Sequence, residues 1–216
     1  MPVEEKQQLT VGLVNKEIEY CKNDLLYFLT EYVYTLDEHD SKNPVKKLPM
    51  NKQYLRDLAQ LFLTERLLLI EKSRQMMVTW FMCAAHLWDC MFHNGRRIAF
   101  QSKKEQDANN LVERAKFIYD HIPAFLKQLE QKADPYSYCK LSFGKLNSII
   151  MGIPQGAAQL RQYTFSRVFS DEMAFQEEKE EAFIAAKPTI TGGGSFIGVS
   201  SPNFKEFFYL LKSDKI

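Results

Sequence analysis

Short apolar runs alternate with helical patterns through most of the chain, and this alternation limits the possible folds more than any other feature. The run LLLI at 67–70 has the length and the uninterrupted apolar character of a central strand that is buried on both faces. A helical pattern over 78–92 and another strand pattern over 97–101 follow it. Because strands separated by helices build parallel sheets, the pattern predicts an α/β fold, with a mostly parallel central sheet and helices on both faces.

The rest of the chain divides into elements of the same kinds. Polar segments and prolines separate them, and a Phe-Gly-Lys turn inside an alternating stretch is typical of a hairpin. We predict helices over 15–36, 52–64, 104–120 and 176–187, a loop over 37–49, a hairpin over 137–153, a strand that ends at 168–169, and a last strand over 195–199. One domain over 1–216 is the simplest organisation, with a helical lead-in over 1–50 and a core over 51–216.

The composition is that of an ordinary globular protein without a strong charge bias. Charged residues make up 25% of the 216 residues and the net charge is +1, so a surface that binds nucleic acid would have to be a local patch. No apolar run approaches the roughly 20 residues that a membrane span requires. The four cysteines show no short, regular spacing, which favours reduced thiols in a cytosolic setting over a disulfide framework.

The segment KSRQMMVT follows the first of these strands and opens the next helix, which is where open parallel sheets bind their ligands. A phosphate-binding loop there needs backbone N–H groups at a helix N-terminus, a cation, and a hydroxyl group for Mg²⁺. Thr79 can supply the hydroxyl group, while Lys72 and Arg74 can supply cations. The usual pattern has glycine and lysine directly before the hydroxyl residue, but Met77 and Val78 stand there. Alone, this segment is therefore a weak indication of a nucleotide site.

Two further segments end strand patterns with chemically useful side chains. The segment FSRVFSDE places Asp171 and Glu172 directly after an apolar stretch. In an ATPase, Asp171 would hold Mg²⁺ and Glu172 would orient and polarise the attacking water, but two acids can equally cap the helix that follows. Ser200 and Ser201 end the last strand pattern, and small polar residues there also fit an ordinary turn.

Taken in order, these segments resemble the ATPase domain of the large terminase subunit of tailed phages. A phosphate loop on an early strand, a later acidic pair and then a Ser-rich strand end is the layout of the RecA-like ATPases with a catalytic glutamate. Many terminase loops begin with S-R-Q, which stands at 73–75 in this sequence. An L-R-G element precedes the acids of the family, as LRQ does at 160–162, and a T/S-P-N motif follows them, as SPN does at 201–203.

The resemblance covers about 50–203 and implies a fold, an activity and partners. It implies a RecA-like P-loop ATPase of the additional-strand, catalytic-glutamate class, which uses Mg²⁺ and ATP to translocate double-stranded DNA into a procapsid. The portal protein and the small terminase subunit would be partners, in a ring on the portal in the host cell cytoplasm, and the isolated chain is expected to be a monomer. The family's C-terminal nuclease domain is expected to be absent, since only a short segment follows Asn203.

The functional residues of the family carry over to the matching positions of this sequence. Lys72 would replace the missing lysine, Arg74 would contact the phosphates in cis, and Arg161 would act as an arginine finger on the nucleotide of a neighbouring subunit. Gln53 lies near the position of the family's adenine-contacting glutamine. The remaining assignments are Ser73, Gln75, Met76, Met77, Val78 and Thr79 to nucleotide binding, Asp171 and Thr79 to Mg²⁺, Glu172 to catalysis, and Ser200, Ser201 and Asn203 to coupling.

Two other functions stay open at this point. Met77 and Val78 replace the glycine and lysine of the phosphate loop, and Gln162 replaces the glycine of the L-R-G element. These departures also fit a non-catalytic module that binds DNA or the portal and whose phosphate loop has decayed. A helicase-like translocase is a further alternative, although such an enzyme normally carries a second motor domain.

A stripe of cysteines and histidines contains the residue types of a zinc site, at Cys83, His86, Cys90 and His93. On one helix these positions extend over roughly 15 Å, whereas zinc ligands lie roughly 2.0–2.3 Å from the metal. We therefore predict that the stripe packs against the sheet.

Overall fold

The computed structural model describes residues 3–129 and 137–202, without the side chains of residues 3–10, 128, 129, 157 and 159. The α-helices in this part of the chain are α1 (Val3–Asn23), α2 (Leu25–Tyr32), α3 (Gln53–Thr64), α4 (Val78–Phe92), α5 (Glu105–His121), α6 (Ala157–Gln162) and α7 (Lys179–Thr191). The strands are β1 (Tyr34–Leu36), β2 (Val45–Lys47), β3 (Leu67–Glu71), β4 (Arg97–Ser102), β5 (Lys140–Phe143), β6 (Ser148–Pro154), β7 (Arg167–Asp171) and β8 (Ser195–Ser200). Two 3₁₀ helices lie at Ala124–Leu129 and Met173–Phe175.

Six of these strands form one sheet in the order β3-β8-β7-β4-β6-β5. All neighbouring pairs are parallel except β5 and β6, which form the predicted antiparallel hairpin. β8 lies between β3, which leads into the lysine-containing segment, and β7, which ends in the acids. The mostly parallel sheet and the additional strand between these two strands are therefore confirmed.

Helices cover both faces of the sheet. Successive residues of a strand point to opposite faces, so each strand contributes side chains to an apolar cluster on each side. Phe169 of β7 and Ile197 of β8 belong to a large apolar cluster with α2, α3, α4 and α5. Val168 and Phe196, their neighbours in sequence, belong to a second cluster with α6 and α7. The prediction of helices on both faces is confirmed.

Helix α4 is almost entirely buried in the larger cluster. The ring of His86 packs against the rings of Phe62, Phe100 and Phe169, with centroid distances of 5.0, 5.5 and 5.6 Å. Burial lowers the pKa of His86 to about 3, so the ring is neutral. Both cysteines of the stripe are also buried, which confirms the predicted packing of the stripe against the sheet. None of the described helices combines enough length and apolar character to cross a bilayer.

The predicted helix over 15–36 is wrong at its centre and at its end. The chain breaks after Asn23, and Asp24 becomes the N-cap of a new helix, because its side chain accepts a hydrogen bond of 2.9 Å from the backbone N–H of Tyr27. Tyr34–Leu36 then forms β1 instead of continuing the helix. The apolar spacing alone did not distinguish one helix from two.

The predicted loop over 37–49 contains strand β2, which pairs antiparallel with β1. The hydroxyl of Thr35 also donates to the carbonyl oxygen of Lys46 at 3.2 Å. The Val-Lys-Lys sequence of β2 is exposed and carries no apolar alternation, so the sequence gives no strand signal there.

Strand β3 lies at the edge of the described sheet, so the prediction of a central strand buried on both faces is wrong. Among the described residues β3 pairs only with β8, and Leu67 is 43% exposed. An apolar run predicts that a segment is buried, but it does not predict the position of the strand in the sheet. That position depends on the crossover connections between the strands.

Candidate nucleotide-binding site

Three of the predicted segments meet at the carboxyl edge of the sheet. The parallel strands β3, β7 and β8 end side by side, since Glu71 is in register with Ser200 and Asp171 with Val199. The backbone N–H of Lys72 donates to the carbonyl oxygen of Ser200 at 3.0 Å and holds the start of the loop against β8. Parallel topology thus brings together residues that are about a hundred positions apart in the sequence.

The segment between β3 and α4 makes its turns without glycine. Gln75 and Met77 have φ angles of 62° and 58°, in the left-handed region that glycine usually occupies. Met77 stands at the glycine position of the usual pattern and directly precedes α4. The hydroxyl of Tyr54 donates to the carbonyl oxygen of Met76 at 3.0 Å and fastens the segment to α3. The backbone N-terminus of α4 therefore faces the carboxyl edge, where a phosphate can bind.

The carboxylate of Glu172 is held from two sides. Its Oε1 lies 3.0 Å from Nζ of Lys72, whose side chain is only 9% exposed. Its Oε2 accepts from the backbone N–H of Ser201 at 3.2 Å and lies 3.5 Å from the hydroxyl of Ser200. Burial disfavours the charge, but the hydrogen bonds from Lys72 and Ser201 outweigh it, so the pKa of Glu172 is below its usual value. Glu172 is therefore a carboxylate at neutral pH.

Asp171 is buried beside a hydroxyl group and has no salt bridge with any of the described residues. It is 8% exposed, and both of its oxygens lie 3.3 Å from Oγ1 of Thr79. Burial raises the pKa of Asp171 to about 6, although the charge of Lys72 acts in the opposite direction. A buried carboxylate paired with a threonine hydroxyl is the donor set that P-loop enzymes offer to Mg²⁺. The side chains present thus fit the predicted ion.

Two clefts open on either side of the loop between β3 and α4. The first, of about 680 Å³, lies between this loop and the β1–β2 pair and includes Met76, Met77 and Trp80 in its lining. The second, of about 590 Å³, lies over the acids and includes Arg74 in its lining. The two clefts share three lining residues, which are Lys72, Gln75 and Arg114. The two clefts therefore meet at this loop.

The other predicted residues lie outside the two clefts or outside the described part of the chain. Arg161 is exposed on α6 and lines neither cleft. The side-chain amide of Gln53 donates to Asp57 at 2.9 Å, and Gln53 lines neither cleft. Ser73 is exposed in the loop, and Asn203 lies outside the described residues. The roles given to these residues stay predictions.

Arg114 of α5 lines both clefts and was not identified in the sequence. A signal was present, because Leu111, Ala115 and Ile118 form the buried stripe of α5 and Arg114 stands at the edge of that stripe. A charged residue beside an apolar stripe indicates either a salt bridge or a site. The sequence alone does not show which of these two applies to Arg114.

The sheet order and the three segments at its carboxyl edge define a RecA-like α/β fold with an additional strand between the loop strand and the acid strand. Within that class, the chain has the fold of the ATPase domain of phage large terminases. The large terminase of bacteriophage HK97 superposes with a TM-score of 0.63 at 14% identity, over 89% of this chain and 40% of the HK97 chain. A mutant ATPase domain of the large terminase of Thermus phage P74-26 superposes with a TM-score of 0.53 at 13% identity, over 70% of this chain and 66% of that one.

At these identities the similarity establishes the fold. The chain spans about two fifths of the length of the HK97 protein. No known family model and no curated protein sequence matches it.

Proposed function

We propose that the chain is the ATP-hydrolysing motor domain of a phage DNA-packaging terminase. The observation that carries the proposal is the meeting of Lys72, Thr79, Asp171 and Glu172 at the carboxyl edge of a sheet with the terminase ATPase fold. In this proposal the energy of ATP hydrolysis moves double-stranded DNA into a procapsid, in the cytoplasm of the host cell. The portal protein, the small terminase subunit and further copies of the chain would complete the machine.

In this proposal the bound nucleotide extends over both clefts. The nucleoside would occupy the first cleft, next to Trp80, and the terminal phosphates would lie in the second cleft beside the acids. The phosphates would cross the loop at the N-terminus of α4, where free backbone N–H groups and the helix dipole favour anions. The base would then lie near the β1–β2 pair, whose residues line the first cleft.

Asp171 and Thr79 would hold Mg²⁺, since their oxygens lie side by side and the carboxylate has no salt bridge with the described residues. The ion would supply positive charge that stabilises the charge developing on the terminal phosphates. Binding a dication also favours the charged form of Asp171, whose pKa burial raises. The ion bound with the nucleotide would thus stabilise the buried charge of Asp171, which burial otherwise disfavours.

Glu172 would orient and polarise the attacking water. Its pKa is lowered, with Lys72 and Ser201 as its hydrogen-bond partners, so it stays in the carboxylate form that can accept a hydrogen bond from water. Nζ of Lys72 lies between the loop and this carboxylate. A terminal phosphate in the second cleft would therefore compete with Glu172 for Lys72 and release the acid toward the water.

The end of β8 would couple hydrolysis to movement. The backbone N–H of Ser201 donates to Glu172, and the hydroxyl of Ser200 accepts from the backbone N–H of Ala174 at 3.2 Å. A shift of Glu172 on phosphate binding or release would thus pull on the end of β8 and on the segment that contains Asn203. Arg161, exposed on α6, would complete the site of a neighbouring subunit.

A non-catalytic module that binds DNA or the portal is the competing function. Val78 favours it, because the residue at the usual lysine position is buried and brings no charge to the phosphates. Such a module would bind neither ATP nor Mg²⁺ at this site.

The variant Glu172→Gln separates the two functions. Wild-type protein is expected to bind and hydrolyse Mg-ATP, and Glu172→Gln to bind it with similar affinity while turnover falls by roughly 10²–10⁴. Steady-state phosphate release and equilibrium binding of ATP measure the two quantities. Equal turnover in both proteins would remove Glu172 from the mechanism, and absence of ATP binding by the wild type would support the non-catalytic module.

A further inference from the structure

Arg114 is held at the junction of the two clefts. It lies on α5, it is half-buried, and its guanidinium carbon is 5.6 Å from the centre of the Trp80 ring. Trp80 follows Thr79 directly and packs edge-on against Phe117 of α5. A cation over the face of a fixed tryptophan is attracted to the ring and loses little entropy when it binds a ligand. The guanidinium is thus positioned before any ligand arrives.

Arg114 has no ion-pair partner among the described residues, whereas the neighbouring Lys72 has one. Lys72 forms a salt bridge of 3.0 Å with Glu172. Arg114 forms no salt bridge with any described acid, although Asp107 lines the second cleft with it. Its charge does reach the site, since it favours ionisation of Asp171 and so opposes the effect of burial. Because no described acid pairs with it, the guanidinium of Arg114 can donate hydrogen bonds to an anionic ligand at the meeting point of the two clefts.

We infer that Arg114 binds the triphosphate of the nucleotide within its own subunit, and that it supplies the charge missing at Val78. This inference rests on the proposed function. A guanidinium can donate two parallel hydrogen bonds to phosphate oxygens, a geometry that an ammonium group does not provide. Because α5 is a long helix packed on the sheet, the group is held by a rigid element.

Arg114 and Arg161 would then have different roles. Arg161 is exposed and lies outside both clefts, so its proposed role would be exerted on a neighbouring subunit in an assembled ring. Arg114 faces the clefts of its own chain, so its contribution is measurable in the isolated protein. This difference allows a test without DNA or portal.

The test compares the affinity of the purified chain for Mg-ATP in four proteins by titration calorimetry. These are the wild type, Arg114→Met, Arg114→Lys and Arg97→Met, the last being a matched control at an exposed arginine on the amino edge of the sheet. Losing a charged hydrogen bond is expected to weaken ATP binding about 10- to 100-fold in Arg114→Met. The affinity of Arg114→Lys is expected to lie between those of Arg114→Met and the wild type, because lysine keeps the charge but loses the paired geometry. The affinity of Arg97→Met is expected to match that of the wild type.

Two results would overturn parts of the account separately. If the wild type binds ATP and a folded Arg114→Met binds it equally well, Arg114 is not a phosphate ligand and the proposed function survives. If the wild type binds no ATP, the proposed function fails and the inference fails with it. Thermal unfolding of each variant shows whether it is folded.

A second measurement uses only the wild type, so it does not depend on the folding of a variant. An arginine-directed dicarbonyl reagent is added with and without Mg-ATP, and the modified residues are identified by mass spectrometry. Mg-ATP is expected to slow modification of Arg114 and to leave Arg97 unaffected. Equal rates at Arg114 in both samples, with ATP bound, would contradict the inference.

Discussion

The two edges of the sheet hold buried carboxylates in opposite states. At the amino edge, Asp89 of α4 is 1% exposed, and its oxygens lie 2.8 Å from Nε of Arg167 and 3.1 Å from Nε of Arg96. At the carboxyl edge, Asp171 is nearly as buried, and the hydroxyl of Thr79, at 3.3 Å, is the only described group that hydrogen-bonds to its side chain. The charge of Asp89 is thus neutralised by arginines of the protein, whereas Asp171 lies next to an open cleft.

The pKa values of the two acids show what this difference does. Burial opposes ionisation at both sites. At Asp89 the hydrogen bond from His93 and the charges of Arg167 and Arg96 outweigh burial, and the pKa falls to about 2. At Asp171 burial prevails and the pKa rises to about 6. Among the described residues Asp171 thus lacks the direct ion pairs that Asp89 has, which supports the proposed Mg²⁺ ligand role of Asp171.

The largest expected effect distinguishes Arg161 from Arg167, which pairs with Asp89 at the amino edge. Arg161→Ala should leave the unfolding midpoint unchanged but lower ATP turnover in assembled complexes by roughly 10³–10⁵, if it acts as a finger. Arg167→Ala should instead destabilise the chain, because Arg167 also donates to Ser195 at 3.0 Å. Thermal unfolding and turnover of both variants test this contrast, and a loss of stability in Arg161→Ala would break it.

Mixed assemblies test whether Arg161 acts on a neighbour. Subunits with Arg161→Ala and subunits with Glu172→Ala should each be nearly inactive alone. Combined, they should recover part of the activity, since an intact Arg161 can then face an intact Glu172 in the next subunit. No recovery at any ratio, with assembly confirmed by sedimentation, would show that Arg161 acts in cis or is structural.

The next effect concerns stability at neutral pH. Asp89→Asn should destabilise the protein by about 3–5 kcal/mol, because it leaves Arg167 and Arg96 without their partner in a buried place. Asp171→Asn should be neutral or stabilising, since it removes a buried charge that has no salt bridge. Urea denaturation of both variants at pH 7 gives the two free energies of unfolding. Equal losses would mean that the two acids play the same structural role.

A smaller effect is the pH dependence of stability, which should have opposite signs at the two edges. The folded-state pKa of Asp171 is above its unfolded value, so stability should fall by about 2–3 kcal/mol as pH rises from about 4 past 6. The folded-state pKa of Asp89 is below its unfolded value, so its contribution is present above pH 4 and is lost as pH falls toward 2. Urea denaturation from pH 2 to 8 measures both, and Asp171→Asn should abolish only the first. If stability falls equally with rising pH in Asp171→Asn, the pH dependence belongs to another group.

The same contrast separates what could be predicted from the sequence from what could not. The acids at 171–172 and the loop from Lys72 to Thr79 were found because strand ends in parallel α/β folds meet at one edge, so a local pattern carries a spatial conclusion. The pair of Asp89 and Arg167 was not found, because these residues lie 78 positions apart and only the folded chain brings them together. Arg114 was missed for the same reason.

The fold was predictable at the level of elements but not of their arrangement. Helices α3, α4 and α5 and strand β4 stand within one or two residues of their predicted bounds, because each has a strong local period. The break at Asp24 depends on one capping hydrogen bond, and the edge position of β3 depends on which strand is inserted beside it. Local patterns do not encode either choice.

The central claim is that the carboxyl edge is a Mg-ATP site with Asp171 as its metal ligand. It is tested most directly by ATP affinity, measured by calorimetry with and without Mg²⁺, in the wild type and in Asp171→Asn. The account predicts that Mg²⁺ tightens ATP binding to the wild type by on the order of tenfold, about 1.4 kcal/mol, and has no such effect on Asp171→Asn. The same gain from Mg²⁺ in both proteins, or none in the wild type, would contradict it.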